Sequence, residues 1–193
     1  MQTLVLASSS PFRKTILDKL NLPYTTHSPN IDESAHKNES PAELVCRLAE
    51  QKARAVRQQY PDALIIGSDQ VAILDGTIIG KPHTHEKATE QLRNTSGRIV
   101  TFLTGLSLYN AQTERMQTDV VPFTVHFRQL SERMIENYLL AEKPYNCAGS
   151  FKSEGLGIAL FNRLEGDDPN TLIGLPLIRL IQMLEAENIP VLG

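Results

Sequence analysis

Four short stretches of this chain carry side chains suited to phosphate chemistry. The first follows the apolar run Leu4-Val5-Leu6-Ala7 and reads Ser8-Ser9-Ser10-Pro11-Phe12-Arg13-Lys14. Three hydroxyls lead into a helix start with two cations in its first turn. Helix N-termini offer unpaired N–H groups and positive partial charge, and Arg13 adds a planar fork that matches phosphate oxygens. Acidic residues usually suit a first turn better than basic ones, so Arg13 and Lys14 there point to an anion. The plainer reading is an ordinary cap, with Ser10 at the N-cap and Pro11 at the next position. The second stretch surrounds Lys52, which falls among Val45, Leu48, Ala49 and Val56 on the apolar stripe of a helix. A lysine there must snorkel to the rim, pair with a carboxylate or face an anion. The third is Asp69, which follows the apolar run Ala63–Gly67 after a single serine, Ser68. A carboxylate beyond a strand end can bind a divalent metal or take a proton from water, or simply cap a turn. The fourth is Lys81, fixed between Gly80 and Pro82. With the loop acids Asp32 and Glu33, these residues form the mixture that phosphoryl chemistry needs: cations to offset charge and carboxylates to hold a metal and activate water.

Other chemically suggestive residues have plainer explanations. His83 and His85 flank a helix start and read as solvated. Cys147 reads as a small core residue, and Cys46 lies too distant in sequence for a metal-ligand spacing or a disulfide framework. Gly166-Asp167-Asp168-Pro169-Asn170 is either a turn or a second phosphate or metal loop.

The elements that must position these residues are legible in outline. A strand over Thr3–Ala7 precedes a helix over Pro11–Leu20, and a polar extended stretch runs to Asn38. Ser40-Pro41-Ala42-Glu43 is a capping box with proline at the first helical position, and predicts a helix to about Gln59. The buried strand Ala63–Gly67 delivers Ser68-Asp69-Gln70 at its end. A hairpin over Val71–Ile79 turns at Asp75-Gly76, and a helix spans about Thr84–Asn94. The runs Ile99–Tyr109 and Met116–Phe127 read as long antiparallel strands. A helix capped by Ser131 reaches about Ala141, a strand covers Ile158–Phe161, and a closing helix spans Pro176–Ala186 with Leu177, Leu180, Ile181 and Leu184 buried. Interleaved helices and strands with an antiparallel hairpin predict an α/β fold with a mixed sheet, flanking helices and two lobes.

The chain has 193 residues, 41% hydrophobic and 21% charged, enough for one sizeable core and short for two independent domains. Its net charge of −3 argues against a broad nucleic-acid surface, so any anion site must be a local concentration of cations. The N-terminus lacks the pattern of a signal peptide, and no apolar run approaches the roughly 20 residues of a membrane span. The expectation is a cytoplasmic protein, with a homodimer through the long hairpin as an option.

These pieces, in this order, resemble the Maf family of nucleotide pyrophosphatases. The carriers are Ser8-Ser9-Ser10-Pro11-Phe12-Arg13, Asp32-Glu33, Gln51-Lys52-Ala53, Gly67-Ser68-Asp69-Gln70-Val71, Gly80-Lys81-Pro82, Ala148-Gly149-Ser150-Phe151-Lys152-Ser153-Glu154-Gly155 and Gly174-Leu175-Pro176. Each is weak alone, and the set spans essentially the whole chain as a single domain, 1–193. The resemblance implies a Maf/ITPase-like fold with a small-molecule nucleotide in a cleft between lobes. It implies that Asp69 is the proton acceptor. Arg13, Lys52 and Lys81, with Ser8, Ser9 and Ser10, would surround the phosphates. Glu33 and Asp69 would hold a divalent cation, Mg²⁺ or Mn²⁺. Phe12, Gln70 and Glu154 would match the positions that set base specificity.

Phe12 departs from the family's common Ser-Pro-Arg-Arg, Gln70 stands where other branches often have Thr, and Glu154 stands where they have Gln. All three departures favour the branch acting on 7-methyl-GTP over the one acting on dTTP and UTP. The chemistry agrees. A guanine edge presents N1–H and N2–H donors, which suit the Glu154 carboxylate. A cationic methylated purine stacked on Phe12 gains roughly 0.5–2 kcal/mol. The expected reaction is hydrolysis between the α and β phosphates, which would remove a modified nucleotide from the pool. The alternatives are the same reaction on dTTP, UTP or another modified nucleotide, a non-catalytic nucleotide sensor in cell division, or a nucleotidyltransferase.

Overall fold

The computed structural model describes residues 2–192. Seven strands form one mixed sheet: β1 (Leu4–Ala7), β2 (Tyr24–His27), β3 (Leu64–Leu74), β4 (Thr77–Ile79), β5 (Ile99–Asn110), β6 (Arg115–Phe127) and β7 (Phe161–Glu165). The order across the sheet is β2-β1-β3-β5-β6-β7, with β4 paired to β3. The helices are α1 (Pro11–Leu17), α2 (Pro41–Ala55), α3 (His85–Thr95), α4 (Glu132–Glu142), α5 (Pro169–Ile173) and α6 (Leu177–Ala186). The α/β class and mixed sheet match the sequence reading. Among the described residues no helix is long and apolar enough to cross a membrane.

The chain forms two compact units. The first comprises residues 1–70, 104–121 and 168–193. Its centre is set by strand alternation. Leu4 and Leu6 of β1, with Leu64 and Ile66 of β3, pack with Ile16 and Leu17 of α1 and with Leu177, Leu180, Met183 and Leu184 of α6. Val5, Ala7 and Ile65, on the opposite face, pack with Ala53 and Val56 at the end of α2. Both faces of β1 and β3 are therefore covered, as expected of parallel strands. The second unit comprises residues 71–103 and 122–167. Phe102, Phe127, Phe151 and Phe161 meet edge-to-face there, with ring centroids 4.8 to 5.7 Å apart.

Several elements differ from the sequence expectation. Asp69 is not at the end of its strand, because β3 runs unbroken from Leu64 to Leu74. Polar Ser68, Asp69 and Gln70 stay in the strand because each has a side-chain partner, described below. Pairing with β1 nevertheless stops at Leu6↔Ile66, so these three residues project past the end of their parallel neighbour. The polar stretch after Pro23 contains β2, parallel to β1, which its exposed Thr25 and Thr26 conceal. The strand expected over Ile158–Phe161 lies later, over Phe161–Glu165, and Leu156–Leu160 forms a 3₁₀ turn. Residues 166–170 follow the turn reading. Asp168 is buried and caps α5, accepting from the Asn170 and Ile178 N–H groups. On α6, Met183 is fully buried, whereas Ile181 is only partly covered.

Helix α2 begins as its sequence promises. Ser40 accepts from the Glu43 N–H, and Glu43 returns the bond to the Ser40 backbone. The helix lies against the sheet at two glycines. A Cβ on Gly67 would lie 2.0 Å from the Ala49 carbonyl oxygen, and one on Gly105 would lie 2.1 Å from that of Val45. This close approach brings Lys52, one turn beyond Ala49, onto β3. Gly67→Ala must push α2 away and should cost about 3 kcal/mol, measured by urea unfolding. A change below about 0.5 kcal/mol would show that the contact is not the constraint.

Candidate active site

Strand alternation continues through the polar part of β3 and sorts its residues. Asp69 follows Ile65 onto the α2 face, while Ser68 and Gln70 follow Leu64 and Ile66 onto the α1/α6 face. Each then meets what its face provides. The nearly buried Lys52 Nζ donates to Asp69 Oδ1 at 2.6 Å and lies 2.8 Å from Glu33 Oε1. Of the three explanations for a lysine in an apolar stripe, the structure shows the carboxylate pair. One ammonium gathers an acid from the middle of a strand and an acid from a loop.

Arg13 is the second cation. Its backbone N–H is capped by Ser10 Oγ at 3.4 Å, and its Nε donates to the Gly174 carbonyl at 2.8 Å. Burial pulls the guanidinium below its ordinary value, and the Asp69 and Glu33 carboxylates pull it back. Ser68 Oγ donates to the same carbonyl at 3.0 Å. Gly174 supports both bonds from a left-handed backbone (φ +115°) that closes α5, a conformation suited to glycine. The Arg13 fork is thereby oriented from its Nε side, and among the described residues its terminal nitrogens make no hydrogen bond. Ser8 Oγ accepts from the Ser10 N–H at 3.1 Å. Ser8 and Ser10 therefore act first as local caps, and Ser9 is exposed. Phe12 is half-buried on α1. Gln70 Nε2 donates to Thr104 Oγ1 at 2.9 Å and to the Thr171 carbonyl at 2.7 Å.

Lys52, Asp69, Glu33 and Arg13 are therefore brought into one electrostatic group, with Gln70 the residue after Asp69 on β3. Lys81 and Glu154 belong to the second unit. Lys81 is exposed between β4 and α3, and Glu154 is exposed just before the 3₁₀ turn at Leu156. Lys152, two residues before Glu154, donates to the Glu142 carbonyl at 3.0 Å. His85 is not simply solvated: Tyr145 and Glu136 each lie 3.0 Å from one of its ring nitrogens. Burial pushes the thiols of Cys46 and Cys147 up, which argues against either as a nucleophile.

The four central groups are neutral in sum, two cations against two carboxylates. That balance cannot offset a polyphosphate, which brings several negative charges of its own. An all-oxygen pair of carboxylates suits a hard divalent cation, which typically takes one or two carboxylates and completes its shell with phosphate oxygens. Among the described residues no group of three or more acidic, histidine or cysteine side chains forms a cage for a metal. Asp69 and Glu33 thus fit a cation that arrives with a phosphorylated substrate.

One supporting device had no sequence signal. Arg47, on α2, donates to Glu39 at 2.5 and 2.7 Å, to the Ser34 carbonyl at 3.0 Å and to Gln51 at 3.1 Å. It fastens the segment after Glu33 to the helix that carries Lys52. The Arg47 hydrogen bonds hold Glu39 down at about 2. A depressed carboxyl stabilises the fold above its unfolded value, and that contribution is lost as pH falls through about 2. The melting-temperature gap between wild type and Glu39→Gln should be constant above about pH 5 and shrink steadily towards pH 2. A gap unchanged at pH 2.5 would exclude the latch.

A family model described as Maf-like protein matches residues 3–187. The chain is 60% identical over 193 residues to a protein of Colwellia psychrerythraea named 7-methyl-GTP pyrophosphatase, covering 100% of this chain and 96% of that one. Among solved structures, the Ham1 protein of Staphylococcus aureus matches with a TM-score of 0.52 and 17% identity, over 96% of this chain and 100% of that one. At that identity the likeness speaks for the fold alone.

Proposed function

The chain belongs to the Maf family, and from that premise we propose that it is a nucleoside triphosphate pyrophosphatase converting 7-methyl-GTP to 7-methyl-GMP and diphosphate. The observation that carries the reading is the Lys52 ammonium shared by Asp69 and Glu33, within the field of Arg13. The 60% identical relative named for this activity supports the substrate.

Asp69 is the proton acceptor. It is held by Lys52 through Oδ1, which orients the carboxylate and leaves Oδ2 to take the proton of the attacking water. Proton transfer to a base fixed in this way contributes about 10²–10⁴-fold to rate. Arg13, Lys52 and Lys81, with Ser8, Ser9 and Ser10 at the start of α1, offset charge on the phosphates. Asp69 and Glu33 would hold a divalent cation, Mg²⁺ or Mn²⁺, which when bound supplies Lewis acidity at the phosphates. Phe12 stacks on the cationic base, and Glu154 accepts from the guanine N1–H and N2–H. The unpaired thiols Cys46 and Cys147 suit a reducing cytoplasm, where the reaction would remove a modified nucleotide from the pool.

Diphosphate release from 7-methyl-GTP, GTP, ATP, dTTP and UTP, with Mg²⁺ and with chelator, tests this. Turnover should favour 7-methyl-GTP and require the metal. A preference for dTTP or UTP would overturn the substrate, and no metal-dependent diphosphate from any nucleotide would overturn the enzyme. Asp69→Asn should lower kcat by about 10²–10⁴-fold while the protein still folds, since Glu33 remains as a partner for Lys52. Near-wild-type turnover would remove Asp69 from the role of base. Glu154→Gln should reduce the preference for 7-methyl-GTP over UTP about tenfold. Unchanged discrimination would count against Glu154 as a reader of the base.

A further inference from the structure

Helix α5 has only five residues, so its last carbonyls have few helical donors and turn to side chains instead. The Thr171 carbonyl, which also accepts from the Gly174 N–H, takes bonds from Gln70 Nε2 at 2.7 Å and Thr104 Oγ1 at 3.1 Å. The Leu172 carbonyl lies 3.3 Å from the same Gln70 nitrogen. Thr104 Oγ1 in turn accepts from Gln70 Nε2 at 2.9 Å.

The directions of these bonds leave Gln70 one orientation. A backbone carbonyl has no proton, so the amide atom 2.7 Å from it must be the nitrogen. The single proton of Thr104 is committed to the Thr171 carbonyl, so Thr104 presents a lone pair to Gln70. A flipped amide would set its oxygen against two carbonyl oxygens and leave Thr104 without a donor. Both N–H groups of Gln70 are therefore used inside the fold. Its Oε1 accepts no hydrogen bond among the described residues, and Gln70 is only half-buried. Thr104 is fully buried and Thr171 sits in the core, so the arrangement is rigid.

We propose that Thr104 is a positioning residue for base discrimination: together with the Thr171 carbonyl it occupies both N–H groups of Gln70, so that the side chain shows the substrate an acceptor and never a donor. This rests on the functional reading above and on the family resemblance, which implies that Gln70 matches a position that sets base specificity. A fixed acceptor suits the N1–H and N2–H edge of guanine, whose donors are strengthened by the positive charge of N7-methylation. It repels the ring nitrogen acceptor of adenine and the carbonyls of uracil. An unlocked glutamine rotates to satisfy any of them and loses this selectivity.

Thr104→Val keeps the shape and removes the hydroxyl, whereas Thr104→Ser keeps the hydroxyl. The ratio of kcat/KM for 7-methyl-GTP over UTP and over ATP should fall about tenfold in Thr104→Val and stay within twofold of wild type in Thr104→Ser. Wild-type selectivity in a folded Thr104→Val overturns the proposal, as does an equal loss in Thr104→Ser. A second readout does not depend on substrate identity: hydrogen exchange of the Gln70 side-chain NH₂, followed by ¹⁵N NMR on the full chain. Slow exchange in wild type and fast exchange in Thr104→Val supports the lock. Fast exchange in wild type overturns it, even if Thr104→Val does not fold. A wild-type enzyme that does not prefer 7-methyl-GTP, yet shows slow Gln70 exchange, would bring down the functional reading and leave the lock standing.

Discussion

A single buried ammonium organises the first unit. Lys52 lies in the apolar stripe of α2, where an unpaired charge would be very costly. Its two carboxylates come from parts of the chain with nothing else in common: Asp69 from the middle of β3 and Glu33 from a loop. Replacing the lysine with an apolar residue would leave Asp69 as a nearly buried carboxylate facing a second acid. The geometry that allows the pairing is equally restrictive. Backbone must approach backbone at Gly67 and Gly105 for the Lys52 side chain to reach the strand. Charge pairing and close packing are thus one requirement seen from two sides.

Strand β3 shows how a sheet can carry polar residues without ending. Ser68, Asp69 and Gln70 would normally break an apolar strand, yet each finds a partner on the face to which alternation assigns it. Asp69 meets Lys52 on one face, and on the other Ser68 meets Gly174 while Gln70 meets Thr171 and Thr104. The carbonyl end of α5 serves Arg13, Ser68, Gln70 and Thr104 together. A short helix whose carbonyls accept few bonds from its own backbone thereby becomes an acceptor platform for residues of α1, β3 and β5.

Much of this was legible in the sequence because the signals were local. The capping box at Ser40, the Asp75-Gly76 hairpin and the misplaced charge at Lys52 each report on their own neighbourhood. What was hidden depends on contacts distant in sequence. β2 carries exposed threonines and has no apolar alternation to announce it. The continuity of β3 through Asp69 depends on partners at positions 52, 104, 171 and 174. Arg47 resembles any surface arginine until Glu39 and Ser34 fold back onto it. Thr104, inside a long apolar strand, reads as a filler β-branched residue, and only its hydrogen bonds reveal a direction.

The fastening of residues 34–39 to α2 bears on the thermodynamics of binding. Arg47 grips the segment at Ser34 and Glu39, so the chain between them is already ordered. Glu33 lies one residue outside that grip, with its side chain exposed although its carboxylate reaches Lys52. The entropy of closing the loop is therefore lost when the protein folds and not when a ligand arrives. A ligand that meets Glu33 therefore meets a chain already anchored at the next residue, Ser34.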